Sequence, residues 1–165
     1  MKILISILFL FLTSCGLDIE GNDTQEQDLE QRQKLNQEYT PAVGTYLGEV
    51  TNPSKRLATR TNEIKIFITE EVKGTDNYGK PRVFPTLKAY WRLFRDDGQE
   101  SIGCMLSAQY IEESSSIVLT TDNSTKANTC TFSMNGTIID GVLEGDIYLA
   151  RGYYGRFKGY LQEQE

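Results

Sequence analysis

The fold is decided between residues 132 and 160, where the chain reads FSMNGTIIDGVLEGDIYLARGYYGRFKGY. Apolar residues alternate with polar ones or glycine, the period of a half-buried strand, and Asp140-Gly141 has the composition of a two-residue hairpin turn. That turn sets Ile138 opposite Leu143, Gly136 opposite Gly145, Met134 opposite Ile147 and Phe132 opposite Leu149. A rival turn at Asn135-Gly136 leaves a strand of only a few residues before Asp140 and is rejected. A three-residue loop, Ala150-Arg151-Gly152, then sets Leu149 against Tyr153, Ile147 against Gly155, Gly145 against Phe157 and Leu143 against Gly159. Large side chains facing glycines are the expected filling of a tightly curved sheet.

Working outward, the same texture runs back to Thr40 with no long helical period. Eight strands are expected, at 44–51, 63–73, 87–94, 102–111, 116–121, 128–139, 142–150 and 153–162, with Pro85 before the third strand or on an irregular edge. Eight successive antiparallel strands leave open edges unless the sheet closes, so the expected class is all-β, an eight-stranded up-and-down barrel over residues 41–165. A β-sandwich is the alternative. The expected inward set is Tyr46, Ile64, Ile66, Ile68, Leu87, Ala89, Trp91, Leu93, Leu106, Tyr110, Ile117, Leu119, Phe132, Met134, Ile138, Leu143, Ile147, Tyr153 and Phe157. Tyr148, Tyr154 and Tyr160 fall in the outward phase.

Val43-Gly44-Thr45-Tyr46 resembles the Gly-x-Trp opening of lipocalin-like barrels, with tyrosine where tryptophan is usual. The resemblance implies a barrel with a ligand site in its mouth, and a late arginine, Arg151 or Arg156, packed on that aromatic.

The amino terminus supplies an address. Lys2 precedes an apolar run from Ile3 to Leu12, too short to span a bilayer as a mature helix. Leu12-Thr13-Ser14-Cys15 closes it and resembles the lipobox of bacterial lipoproteins. That resemblance implies a signal peptide over residues 1–14, cleavage before Cys15 and acylation of Cys15. Gly16 resembles the residue that sorts such proteins to an outer membrane. Multiple acyl chains make such an anchor effectively permanent. The expected location is therefore the bacterial cell envelope, at the outer membrane.

The 165 residues carry 17 Lys+Arg against 23 Asp+Glu, a net charge of −6. The acidity is concentrated in residues 15–40, with seven acids against Arg32 and Lys34. This stretch is rich in Gln, Glu, Asp and Asn and reads as a solvated, flexible tether, because it has little apolar surface to offset its ordering entropy. Thr24 with Gln27 and the pairs Asp28–Arg32 and Glu30–Lys34 would support no more than a frayed helix over 24–38. The acidic balance argues against nucleic acid as a partner.

There is no histidine. Ser-His and Cys-His nucleophile pairs and histidine metal ligands are thereby excluded. Glu70 and Glu71 point to opposite faces of a strand, and the acids at 96–97 and 112–113 fall in turns, so no carboxylate pair is selected for catalysis. Neither a metal nor a cofactor is expected. Cys104 and Cys130 in an oxidising compartment should form a disulfide. Two strand spacings would hold them about 9.6 Å apart, so the bond requires both cysteines to lie at one rim, beyond the paired end of the fifth strand.

Two non-catalytic functions compete. In the leading one the barrel mouth holds a small apolar or amphipathic ligand, lined by Tyr46, Trp91, Tyr110, Tyr153 and Phe157. In the alternative the interior is filled and the outer surface engages an envelope protein, as an enzyme inhibitor or assembly accessory. The basic loop 52–62, with Lys55, Arg56 and Arg60, is then a candidate lid or partner contact. Whether the interior is packed or hollow separates the two.

Overall fold

A computed structural model describes residues 20–52, 61–94, 98–123 and 130–163. Helix α1 (Glu20–Tyr39) runs into a 3₁₀ turn (Thr40–Ala42) and then eight strands. These are β1 (Gly44–Thr51), β2 (Thr61–Thr75), β3 (Pro81–Phe94), β4 (Glu100–Ile111), β5 (Ser116–Thr121), β6 (Phe132–Ile139), β7 (Val142–Leu149) and β8 (Gly152–Leu161), with a 3₁₀ turn (Glu112–Ser114) between β4 and β5. The sheet is a closed antiparallel meander in which every strand pairs with its sequence neighbour and β1 pairs with β8. The open edges that forced the barrel reading are removed by that last pairing.

The carboxy-terminal registers are those the sequence dictates. Ile138 opposes Leu143, Gly136 opposes Gly145, Met134 opposes Ile147 and Phe132 opposes Leu149. Positive φ at both Asp140 and Gly141 gives the turn the twist that matches its strands. Gly145 faces Phe157 and Leu143 faces Gly159, also as expected. A Cβ on Gly145 would lie 2.5 Å from the Asn135 carbonyl oxygen and 2.7 Å from the Gly136 Cα. The neighbour is backbone and cannot rotate away. Gly145→Ala should therefore destabilise the barrel by about 1–3 kcal/mol, lowering its melting temperature by roughly 5–10 °C in a circular-dichroism melt. An unchanged melt would mean that β6 and β7 are not held this close.

One register departs from expectation. Tyr148, not Leu149, opposes Tyr153, and Leu149 opposes Gly152, with an irregularity between Ile147 and Tyr148. Tyr154 is the extra residue of a bulge on β8, and the bulge inverts the phase of what precedes it. Tyr153 therefore points outward, 41 % exposed, where the sequence reading had it in the core. Tyr154 packs partly against the core instead of standing in the outward row.

The interior is built from alternate residues of all eight strands. Trp91 and Phe132 pack with ring centroids 5.0 Å apart, and the indole N–H donates to the Asn62 side-chain oxygen at 3.0 Å. The 3₁₀ turn after α1 floors the barrel. Ala42 is fully buried, and its carbonyl accepts from the Tyr46 hydroxyl at 3.2 Å.

Two further expectations are corrected. Residues 20–39, read as a flexible coil, form a helix that packs on β3 and β4. The helix has almost no apolar stripe, and the sequence reading undervalued what holds it: ionic and cation–π contacts to β3, described below. Strands β2 and β3 are also longer than the expected 63–73 and 87–94. Pro85 lies inside β3, opposite Glu70, where β3 has no partner on its other side because pairing to β4 begins at Lys88. A missing N–H costs nothing there.

Candidate functional site

Among the described residues the interior offers no chamber at its centre. Tyr46, Ile64, Leu106, Leu119, Met134, Leu143, Ile147 and Phe157 have no exposed surface at all, and Trp91 and Ile117 have 1 %. Side chains without exposed surface border no space able to admit a water molecule. Of the five residues named as ligand lining, Tyr46, Trp91, Tyr110 and Phe157 are packed core and Tyr153 stands outside. The late-arginine expectation fails as well. Arg156 lies on the outer face, donating from Nε to Glu144 at 2.8 Å, and Arg151 is exposed at the β7–β8 turn, so neither packs on Tyr46.

Burial pushes the Tyr46 phenol up to about 12, with nearby Tyr110 adding to the shift. A raised folded value means that the stabilisation is complete below the ordinary value of 10 and is lost as pH rises through the interval to about 12. Urea midpoints should fall over that interval with a contribution of about 1.4 kcal/mol per pH unit from Tyr46. Tyr46→Phe should make the fall shallower. Parallel falls in both proteins would mean that the phenol is not buried in a form that resists ionisation.

The outside is where charge is organised. Arg92 Nε donates to Glu63 at 2.8 Å and its guanidinium lies over the rings of Tyr90 and Phe94. Lys88 reaches Asp122 at 2.8 Å, and Arg156 and Lys158 flank Glu144. An apolar interior beneath a charged exterior is the inverse of a membrane barrel, whose lipid-facing band is apolar. No helix among the described residues is long and apolar enough to cross a membrane.

Three features away from the centre of the barrel carry chemistry. At one rim the Cys104–Cys130 disulfide joins β4 to the start of β6, with Cα atoms 6.0 Å apart. The β4–β5 pairing ends at Leu106–Thr121, so both cysteines lie past the end of β5, in the geometry the bond requires. The Thr121 hydroxyl accepts from Phe132 N–H at 2.7 Å and closes β5 onto β6 just below it. On the outer face of β7 and β8, Tyr148 and Tyr153 meet edge to face at 5.5 Å, beside a shallow surface hollow of about 290 Å³ lined by Leu149 to Tyr154.

The third feature is an arm. β1 pairs with β2 only up to Gly44–Ile66, and β4 pairs with β3 only from Ser107–Lys88 onward. Residues 67–75 and 81–87 therefore continue as a two-stranded hairpin past the body of the barrel. Its tip is closed by Asp76, whose carboxylate accepts from the N–H groups of Tyr78 (2.9 Å) and Lys80 (2.8 Å). Helix α1 lies on the β3 side of this arm. Arg82 Nε donates to Asp28 at 2.9 Å, and the Arg32 and Arg82 guanidinium groups lie over the Phe84 ring. The hydrogen bond from Arg82, with its positive charge, holds the Asp28 carboxyl below the usual carboxylate range. Sequence reasoning missed this junction, because Asp28 and Arg82 are 54 positions apart and only the length of β3 brings them together.

Cys15, Lys55, Arg56 and Arg60 lie outside the described residues. No protein-family profile, curated protein or solved structure matches the chain.

Proposed function

We propose that this protein is a lipid-anchored module of the bacterial cell envelope that acts through its outer surface on an envelope protein, as an enzyme inhibitor or assembly accessory, and not by carrying a ligand. The observation that supports this reading is the packed interior, in which four of the five residues suited to lining a ligand site are core. Small barrels with filled interiors have only rims, turns and outer faces left for recognition. The anchor rests on Lys2, the short apolar run and Leu12-Thr13-Ser14-Cys15. Acylation of Cys15 and placement at the outer membrane follow from that resemblance. The reading includes no catalytic step.

Native mass spectrometry of residues 16–165, secreted to a bacterial periplasm without the lipid, tests carriage directly. The expected result is a bare polypeptide mass with one disulfide. A stoichiometric added mass removed by organic extraction would overturn the reading in favour of a ligand-binding barrel. Labelled palmitate supplied to cells making the full chain should be incorporated, and Cys15→Ala should abolish that incorporation. Persistent labelling of the variant would remove the anchor from the proposal.

A further inference from the structure

The two edges of the β2–β3 arm are treated differently. The β3 side is overlaid by α1 through Arg82 and Phe84. Among the described residues the β2 side has no partner strand past Ile66: β1 ends its pairing there, no described hydrogen bond reaches Phe67–Val72 from outside the arm, and the edge passes from half-buried Phe67–Thr69 to exposed Glu70–Val72. Unpaired strand edges are templates for another strand, and proteins ordinarily cover, shorten or charge them. Here the edge is long and carries exposed Glu70 and Glu71 beside Val72, 60 % exposed, so its charge turns away acidic or like strands and leaves a basic one admissible. It is also preorganised, since β3 backs it residue for residue from Phe67–Lys88 to Val72–Val83 and Asp76 fixes the tip. A pre-ordered edge loses little freedom when a strand is added.

Charge selects the occupant. Alternation places Glu70 with Ile68 and Val72 on one face of the arm, and Glu71 with Phe67 and Thr69 on the other. A second copy of this chain fits badly. Two such edges related by a two-fold axis at or between Glu70 and Glu71 oppose carboxylate to carboxylate. Moving the axis toward Val72 sets Glu70 or Glu71 against Lys73, but it runs the added strand into the irregularity between Val72 and Thr75, where Gly74 has φ +87°. Moving it to Thr69 sets the carboxylates against Ile68 and Phe67, which offer them no opposite charge. An added strand with two consecutive Lys or Arg residues instead meets one carboxylate on each face.

We infer that the β2 edge over Phe67–Val72 is a strand-addition site for an extended segment of a partner protein bearing an adjacent pair of basic residues. The inference rests on the partner-binding reading above and names its surface. In this recognition mode main-chain hydrogen bonds hold the segment and side chains at alternating positions select it.

The test uses the full-length chain in mild detergent and two synthetic heptapeptides, Thr-Val-Thr-Lys-Arg-Val-Thr and the same peptide with Glu-Glu at the centre. Hydrogen–deuterium exchange is followed by mass spectrometry at millimolar peptide. The basic peptide should slow exchange within 67–72 and leave β6–β7 unchanged, whereas the acidic peptide should do neither. In E70K/E71K, whose changes are at exposed positions, the basic peptide should bind about tenfold more weakly and the acidic one should gain protection. Equal protection by both peptides, or protection elsewhere on the barrel, overturns the inference. So does a concentration-dependent dimer of the untreated protein protected at 67–72, which would assign the edge to a second copy. These failures leave the wider reading standing. An extractable ligand in the periplasmic protein would remove that reading whatever the edge does.

Discussion

Trp91→Ala should cost the barrel about 3–5 kcal/mol, a large part of the 5–15 kcal/mol that holds a domain of this size together. Trp91 is the chain's single tryptophan, 1 % exposed, packed on Phe132 and tied by its N–H to Asn62. Truncation removes the largest buried side chain and leaves a void that the closed sheet resists collapsing. Urea unfolding followed by circular dichroism at pH 7 would give the number. Trp91→Phe keeps most of the volume and loses the hydrogen bond to Asn62, so its cost should be about 1–2 kcal/mol. A loss of less than about 1 kcal/mol for the alanine variant would show that Trp91 borders space instead of filling it. That outcome would also restore the case for a ligand in the barrel mouth, so a stability measurement bears directly on function.

The second large effect is expected at the rim. Removing the Cys104–Cys130 link, by reduction or as C104A/C130A, should destabilise the barrel by roughly 3.5 kcal/mol in the chain-entropy account of a loop of this separation. The bond crosses the gap past the end of β5, where β4 and β6 have no strand between them. Its loss should therefore also speed amide exchange at the start of β6 before the rest of the sheet responds. Urea midpoints with and without reductant, compared with the double variant, give both readings. A double variant as stable as the oxidised protein would mean that the pair is not a structural staple.

How much of this was legible depends on whether a residue's environment is set locally. The registers through Asp140-Gly141 could be read because a two-residue turn fixes every opposing pair that follows it, and the glycines at 136 and 145 mark where the strands approach most closely. The disulfide was legible because two cysteines were expected in an oxidising compartment, and the strand spacing then left one rim as the place where they could meet. Tyr153 was lost to a single extra residue: a bulge at Tyr154 leaves no composition signature, yet it inverts one end of a strand. The helix was undervalued for a different reason. Its sequence has little apolar surface, and what docks it is a set of contacts to Arg82 and Phe84 on a strand expected to begin at residue 87. The length of β2 and β3, and with it the arm, could not be read because charged and apolar residues share that stretch without a turn to end the pattern. The packed interior likewise depended on how side chains from all eight strands meet, which alternation alone does not specify.

The pairing of β1 with β8 has a consequence for what it means for this chain to begin at one end. Tyr46 opposes Leu161 and Gly48 opposes Gly159, so the first and last strands lie side by side, like any other two neighbours in the sheet. The barrel is a ring of eight equivalent hairpin steps, one of which is left without a connecting turn. Where the chain is cut is then a matter of biosynthesis more than of architecture: a short link from residue 163 to residue 41 and a break at Asp140-Gly141 would preserve every strand pairing. The ribosomal order does set a clock. Closure waits on β8: until that strand is in place, β1 and β7 are both unsatisfied edges and the sheet is an open ribbon instead of a barrel.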